Sequence, residues 1–320
     1  TLLAVDEHEL LLHLAMGARG DAPVNVGVRL GVDECVPLLG AIARVYLRGC
    51  EVLGAKLRLR EVIEGLGLEA FLQDVLCLGV DLTQRSTEAA QSGTKEDVCG
   101  HLGVWRQRQV GLSYVGVAVP LGRLNLLQMR KLAEVVSRYG SGTIRLTPWQ
   151  NAIVSDVRDQ DVDVVRGLIE ELGLGWANPV NGLLMACAGA SGCQFAAGDT
   201  QRDAIELARY LESRVTLDRP VNIHFSGCDK SCAQHYLADI SLWGCPKTAE
   251  RVDGYRLCVG GGTDKFGREV SDYLTPEDVK LAIDRLLRAY QERRTSPQES
   301  VRAFTDRQSL AQLQQVLHAI

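Results

Sequence analysis

No apolar run in the sequence approaches the roughly 18 residues needed to span a bilayer, so no membrane partner is expected. There is no basic excess either. Against 40 acidic residues stand 35 lysines and arginines, a formal net charge of −5, which argues against a duplex nucleic-acid binder. The opening stretch Thr1 to Gly20 contains Asp6, Glu7 and Glu9 and lacks a basic start, so it does not read as a secretory signal, and a cytoplasmic setting is expected. Low-complexity composition is also missing: apolar residues at 46% and charged residues at 23% are ordinary for a globular chain. What the 320 residues do hold in quantity is cysteine, ten in all. Without a secretory signal, metal or redox chemistry explains that number better than a disulfide framework. The length suggests about two domains. A chain that begins at Thr1 rather than Met is expected to be processed or part of something longer.

The polar stretch 81–100, rich in Ser, Thr, Gln and Gly, marks a linker between two more apolar blocks. Before it, Val24 to Leu30 alternates like a strand, Leu38 to Leu47 has helical spacing, and Lys56 to Leu76 reads as a helix interrupted by Gly65 and Gly67. After it come a strand over Gly111–Val119 and a helix over Asn125–Tyr139, with Leu127, Leu132, Val135 and Val136 near one face. A strand over Thr143–Val154 and a helix over Asp161–Leu172 complete a compact α/β unit. Further on, Asp199 or Thr200 caps a helix whose stripe is Ile205, Ala208 and Leu211, and Val221, Ile223 and Phe225 form a strand running into Gly227. Tyr255 to Gly260 is another strand, and Thr275-Pro276-Glu277-Asp278 starts a helix. Residues 255–317 repeat the pattern of 24–76, with Arg302-Ala303-Phe304 answering Glu69-Ala70-Phe71.

Four cysteines stand apart. Cys187 and Cys193 lie in a C-x5-C stretch with Gly189 and Gly192, and Cys228 and Cys232 lie in a C-x3-C stretch just after Gly227. Small residues let the backbone wrap closely around a bulky inorganic centre and offer N–H groups to sulfur. Four thiolates match an iron–sulfur cube, one per iron. Structural zinc competes, although C-x5-C fits its usual two-to-four-residue spacers poorly. A disulfide pair or four buried apolar thiols are the remaining readings. The other six, Cys35, Cys50, Cys77, Cys99, Cys245 and Cys258, sit singly in apolar or strand-like surroundings and read as structural. His224 and His235 read as surface or hydrogen-bonded residues, with a pocket-lining role as the alternative.

The stretches MACAGASGCQFAAGDTQ and VNIHFSGCDKSCAQHYLADISLWG resemble the cluster-binding region of the sirohaem-containing nitrite and sulfite reductases. GSGTIRLTPWQNAIV is similar to that family's sirohaem-proximal segment, with its R-x-T-x-x-Q pattern on Arg145, Thr147 and Gln150 and Asn151 following. The resemblance implies an α+β fold: a ferredoxin-like half-repeat plus a mixed α/β sirohaem/[4Fe–4S] domain of the haemoprotein type. It places the end of a first sirohaem-type α/β domain at 1–80, a linker at 81–104, the half-repeat at 105–175 and the cluster-binding domain at 176–320. It also implies that Cys187, Cys193, Cys228 and Cys232 hold a [4Fe–4S] cluster and that Cys232 bridges to the sirohaem iron. Arg145, Thr147, Gln150 and Asn151 then contact the sirohaem.

The activity implied is six-electron reduction of nitrite to ammonium, with ferredoxin or another small electron donor as partner. A sulfite reductase is the nearest alternative. A precorrin-3B synthase-like oxygenase and a non-catalytic electron-transfer subunit are more distant ones. The family's converging Arg and Lys anion site has no counterpart here beyond Arg145 and Lys230, and Trp149 stands where a first-half copy carries arginine. The chain therefore looks like the C-terminal portion of a longer reductase or a reduced relative of one. Arg285, Arg288, Arg293 and Arg294 form the densest basic stretch, read as an ordinary solvated helix face or, failing that, a donor-docking patch.

Overall fold

The computed structural model describes residues 2–6, 8–16, 23–78, 101–175, 184–246, 253–262 and 265–318. The part of the expected linker that spans 81–100 lies outside them. Backbone proximity divides the chain into two units, 1–95 with 263–266, and 96–262 with 267–320.

The first unit is an antiparallel sheet of β1 (Leu2–Ala4), β2 (Glu9–Leu14) and β3 (Val24–Gly31) with three helices, α1 (Cys35–Val52), α2 (Leu59–Leu66) and α3 (Leu68–Leu76). Leu12, Val28 and Leu30 from the sheet meet Leu38, Ile42 and Val45 of α1 and Phe71 and Leu72 of α3 in one core. The helix expected over Lys56–Leu76 is two helices. Gly67 breaks it with φ +84°, a conformation that L side chains rarely adopt, while Gly65 stays inside α2.

In the second unit, β4 (Val104–Arg106), β5 (Leu112–Val117), α4 (Leu126–Tyr139), β6 (Ile144–Leu146), β7 (Ala152–Arg158) and α5 (Val162–Glu171) come first. The sheet is antiparallel in the order β4-β5-β7-β6, and α4 and α5 contribute Leu132, Val136, Val165 and Ile169 to its core. Asn125 caps α4 by accepting from Gln128 N–H, while Gln128 returns a bond to the Asn125 N–H. Leu127, expected on the buried stripe, is exposed; Leu132, Val135 and Val136 are buried. The single strand expected over Thr143–Val154 is a hairpin. Pro148 has no N–H to give a ladder, and Gln150 turns the chain at φ +61°, closed by Gln150 N–H to Thr147 O at 3.1 Å.

The second sheet is built from β8 (Leu184–Ala186), β9 (Ile223–Ser226), β10 (Ile240–Cys245), β11 (Gly254–Val259) and β12 (Arg268–Leu274), ordered β12-β11-β10-β9-β8. β8, β9 and β10 are parallel, and β11 and β12 are antiparallel additions. Between β8 and β9 the chain forms α6 (Thr200–Glu212), and after β12 come α7 (Pro276–Arg293), α8 (Val301–Asp306) and α9 (Leu310–His318). Alternation sends Ile223, Phe225, Ile240, Leu242, Tyr255 and Leu257 into one core with Leu207 and Leu211 of α6 and Ile283, Leu286 and Leu287 of α7. Ile205, assigned to the α6 stripe, is exposed; Ala204 and Leu207 take that face with Ala208 and Leu211. No helix among the described residues is long and apolar enough to cross a membrane.

The repeat expected between 24–76 and 255–317 has a structural counterpart in element order. Each antiparallel strand pair is followed by an 18-residue helix and two short ones. The Ala-Phe pairing does not carry through, since Phe71 lies in the third helix of its set and Phe304 in the second.

A buried bond ties α6 to β11: Tyr255 Oη donates to Asp203 Oδ2 at 2.6 Å, with both side chains buried. Burial, followed by the Asp203 carboxylate, pushes the phenol far above its ordinary range, so Tyr255 is a permanent donor. Tyr255→Phe leaves that carboxylate oxygen without its donor and is expected to destabilise the fold by about 1–3 kcal/mol. Urea unfolding of the two proteins measures this, and an unchanged midpoint would show that the bond contributes nothing net.

Candidate cluster-binding site

The parallel strands of an α/β sheet expose their carboxyl ends on one edge, where ligands are commonly held. Cys187 directly follows β8 and Gly227-Cys228 directly follows β9. The Cys187 N–H donates to Phe225 O at 3.0 Å, extending the β8–β9 pairing by one step, and the Gly227 N–H then donates to the Cys187 sulfur at 3.1 Å. Glycine is required at 227 because a Cβ there would lie 2.5 Å from Ala196 Cβ. The Ala197 N–H bonds Gly227 O at 2.7 Å, which pins the Cys193 loop to the Cys228 loop. Lys230 reinforces the join, with its Nζ 3.1 Å from the centre of the Phe195 ring. Thr200, first residue of α6, donates its hydroxyl to Cys187 O at 2.9 Å.

The Cys232 segment is more open. Cys232 is exposed, whereas Cys187, Cys193 and Cys228 are partly buried. Ser231 and Gln234 take left-handed conformations at φ +56° and +53°, so two non-glycine residues bend the chain around Cys232. His224 and His235, expected at the surface or hydrogen-bonded, are both buried. His224 Nδ1 lies 3.2 Å from Gln234 O, and since a carbonyl only accepts, that nitrogen carries the hydrogen. Its Nε2, both ring nitrogens of His235 and Oε1 of Gln150 are buried with no hydrogen-bond partner among the described residues. Burial holds both imidazoles down at about 4, and His235 is lowered further by His224. His235 stacks on Trp243 at 5.3 Å and 17°.

The hairpin turn from Thr147 to Asn151 rests against both cysteine loops. Gln150 Nε2 donates to Ala186 O at 3.0 Å, one residue before Cys187, and Gln234 Nε2 reaches Pro148 O at 3.4 Å. Thr147 Oγ1 accepts from Asn151 N–H, and Asn151 is buried, with Oδ1 accepting from Val119 N–H at 2.8 Å. Arg145 is exposed on β6. The geometry thus groups Gln150 with the cysteine loops, engages Thr147 and Asn151 inside the hairpin, and leaves Arg145 at the surface.

Two residues here were not singled out from sequence. His101 stacks on Trp149 at 4.7 Å and 12°, and accepts at Nε2 from Asn151 Nδ2 at 3.1 Å. Nothing in the local sequence marks it, because its partners are fifty residues away. Cys245, read as structural, ends β10 and borders a cleft with Cys228, Trp243 and Arg256. Its signal was its place at the end of a third parallel strand. Of the remaining cysteines, Cys258 is buried with its thiol pushed up to about 11, Cys35 and Cys50 lie near backbone carbonyls, Cys77 is exposed, and Cys99 is outside the described residues. The basic stretch of α7 is largely engaged internally: Arg285 bonds Leu317 O, Arg288 bonds Asp284, and Arg294 pairs with Asp218 at 2.7 Å.

The residues fit a polynuclear thiolate-held group. Four cysteines sit on two loops pinned to each other, and the Cys187 sulfur receives a backbone N–H. Among the described residues, no three His, Cys, Asp or Glu side chains, the four cysteines included, converge as they would around a metal ion. Fold and site together give an α+β protein with two cysteine-bearing loops at the carboxyl ends of parallel strands.

Comparison with known proteins agrees. Residues 105–172 match the nitrite/sulfite reductase ferredoxin-like half domain, and residues 180–319 match the nitrite and sulphite reductase 4Fe-4S domain. The chain is 34% identical to the chloroplastic ferredoxin–nitrite reductase of Zea mays, over 74% of this chain and 44% of that protein. It is 29% identical to sulfite reductase [ferredoxin] 1 of Mycolicibacterium paratuberculosis, over 84% of this chain and 51% of that one. The solved structure of Mycobacterium tuberculosis NirA superposes with a TM-score of 0.76 at 28% identity, covering 91% of this chain and 55% of NirA. The chain belongs to the nitrite and sulphite reductase family, oxidoreductases whose members carry sirohaem and a [4Fe–4S] cluster. It spans about half the length of the curated relatives it matches.

His101 sets a pH dependence. Burial lowers its pKa from 6.5 to about 4, so the unfolded chain binds the extra proton first and stability falls as pH drops through that window. The loss from this one group approaches about 3 kcal/mol. His101→Gln cannot titrate and is expected to lose less stability between pH 7 and pH 4.5 than the wild type. Equal losses in urea midpoint would show that His101 does not behave this way.

Proposed function

We propose that this chain forms the cluster-binding portion of an assimilatory nitrite reductase that reduces nitrite to ammonium with six electrons, drawn from ferredoxin or another small donor in the cytoplasm. The observation that carries the reading is the join of two cysteine loops at the ends of β8 and β9, with the Thr147–Asn151 turn bonded against both. Nitrite rather than sulfite is favoured by the chloroplastic and cyanobacterial relatives at 34–36% identity, against 29% for the sulfite reductase.

On this reading Cys187, Cys193, Cys228 and Cys232 would hold the cube, and Cys232, the most exposed of the four, would also be a ligand of the sirohaem. When bound, the two groups would supply electrons in succession for the reduction of a small anion. The chain's own residues orient and insulate. The Gly227 N–H draws charge from the Cys187 sulfur, and Gln150 fixes the hairpin against β8 while its Oε1 faces inward as an acceptor. His224 and His235 remain neutral down to about pH 4, so they add no competing positive charge at working pH. Lys230, engaged with Phe195, is the nearest offset for the negative cube. Arg145, exposed on β6, is available to a haem carboxylate.

Replacing Cys187, Cys193 or Cys228 by Ser is expected to remove the cluster, seen as loss of about four irons and four sulfides per chain and of the broad visible absorption. Replacing Cys99 or Cys258 leaves both unchanged. Full iron content in the Cys187 variant would show the ligand set to be wrong. Cys232→Ser is expected to alter the cube and haem spectra together, and an unchanged haem spectrum would rule out the bridge. Substrate is decided by turnover with dithionite-reduced methyl viologen: ammonium from nitrite is expected to outpace sulfide from sulfite, and the reverse order makes the enzyme a sulfite reductase.

A further inference from the structure

Cys245 lies in a position that its sequence neighbours do not reveal. The parallel register of β9 and β10 sets Ile240 against Ile223 and Trp243 against Ser226. Continued two steps, it sets Cys245 against Cys228. The intervening pair is in direct backbone contact, since a Cβ on Gly244 would lie 2.5 Å from Gly227 O. Partners on adjacent strands are about 4.8 Å apart, within the roughly 4.4–6.8 Å of Cα separation that a disulfide spans. Both cysteines border one cleft of about 300 Å³ with Phe195, Trp243 and Arg256. Neither thiol is fully buried, so a small oxidant has access. Arg256, on the same cleft, is paired with Glu269 at 3.1 Å.

We propose that Cys228 and Cys245 are a redox pair, joined as a disulfide when no cluster is bound and kept apart when the cluster occupies Cys228. The oxidant is a small disulfide of the glutathione class. The Cys245 thiolate attacks one sulfur of glutathione disulfide, the S–S bond breaks, and one glutathione thiolate leaves and takes a proton. The Cys228 thiolate then attacks the Cys245 sulfur of the mixed disulfide and releases the second glutathione, which takes the second proton. Two protein thiols are oxidised and one glutathione disulfide is reduced to two thiols. The effect is to hold the empty site closed and spare its sulfurs from irreversible oxidation until reductant returns. Protection by the cluster rests on Cys228 being a ligand, as proposed above; formation of the pair does not.

The test treats the full cluster-free chain with glutathione disulfide, blocks remaining thiols with iodoacetamide, and maps peptides after digestion with trypsin and chymotrypsin, which together separate Cys228, Cys232 and Cys245. The expected result is loss of two free thiols per chain and a peptide linking Cys228 to Cys245, absent in Cys245→Ser and present in Cys258→Ser. Linkage of Cys228 to Cys232, of Cys187 to Cys193, or no thiol loss overturns the proposal. A second arm repeats the treatment on cluster-loaded protein. There the link is expected only as iron is released. A link that forms with iron fully retained overturns the ligand role of Cys228 and leaves the redox pair standing.

Discussion

The site depends on the parallel pairing of β8, β9 and β10. That pairing alone brings Cys187, Cys228 and Cys245 to one edge, because each terminates or directly follows its strand. Alternation ties the edge to the core: the residues that hold the register, Ile223, Phe225, Ile240 and Leu242, are the ones buried against α6 and α7. A slip of one residue would turn that apolar set out to the opposite face and move every cysteine by one step. The hydrophobic core therefore fixes the ligand geometry. At the strand ends, Gly227 and Gly244 let two backbones approach more closely than any side chain allows, so a loop as short as Cys228–Cys232 can begin without a gap.

Electrostatics around the cysteines follow from the same arrangement. The Cys187 sulfur faces a backbone N–H from Gly227, Lys230 is fixed over Phe195, and Arg256 borders the same cleft as Cys228. The two imidazoles in the neighbourhood are buried and neutral. Their unpartnered nitrogens, together with Gln150 Oε1, leave buried hydrogen-bonding groups unmatched among the described residues. A charged histidine there would also cost stability that the packing of His235 between Tyr236 and Trp243 does not return.

Much of this was legible in the sequence where a local rule applied. The helix start at Thr275-Pro276 and the cysteine-glycine loops are short-range signals, and the elements they mark are present. The misreadings share one cause. Thr143–Val154 alternates like a strand on both sides of its turn, so periodicity alone bridged Pro148 and Gln150. Leu127 and Ile205 satisfied a helical stripe that tertiary packing places elsewhere. His224 looks outward by strand parity, yet the opposite face of this sheet is covered as well, which no two-residue period reveals. His101 and Cys245 derive their roles from partners set by sheet register, and register is a long-range property.

The spacing of the two cysteine pairs is itself a consequence of topology. Parallel neighbours need a crossover of a dozen or more residues, and residues 194–227 supply one: the tail of the first loop, α6, and the return through β9. Cys193 lies in the connection ahead of α6 and Cys228 follows β9, so the long interval between the pairs is the length of a helix and its return strand. Within each pair the spacing answers a different demand. The first loop turns back on itself through Gly189 and Gly198, held by Ala190 N–H to Gly198 O, and needs five intervening residues to do so. The second is bent by Ser231 and Gln234 in left-handed conformations and closes in three. Two loops of unequal length at the ends of neighbouring parallel strands explain why the pattern departs from a zinc knuckle, in which two similar turns surround one ion.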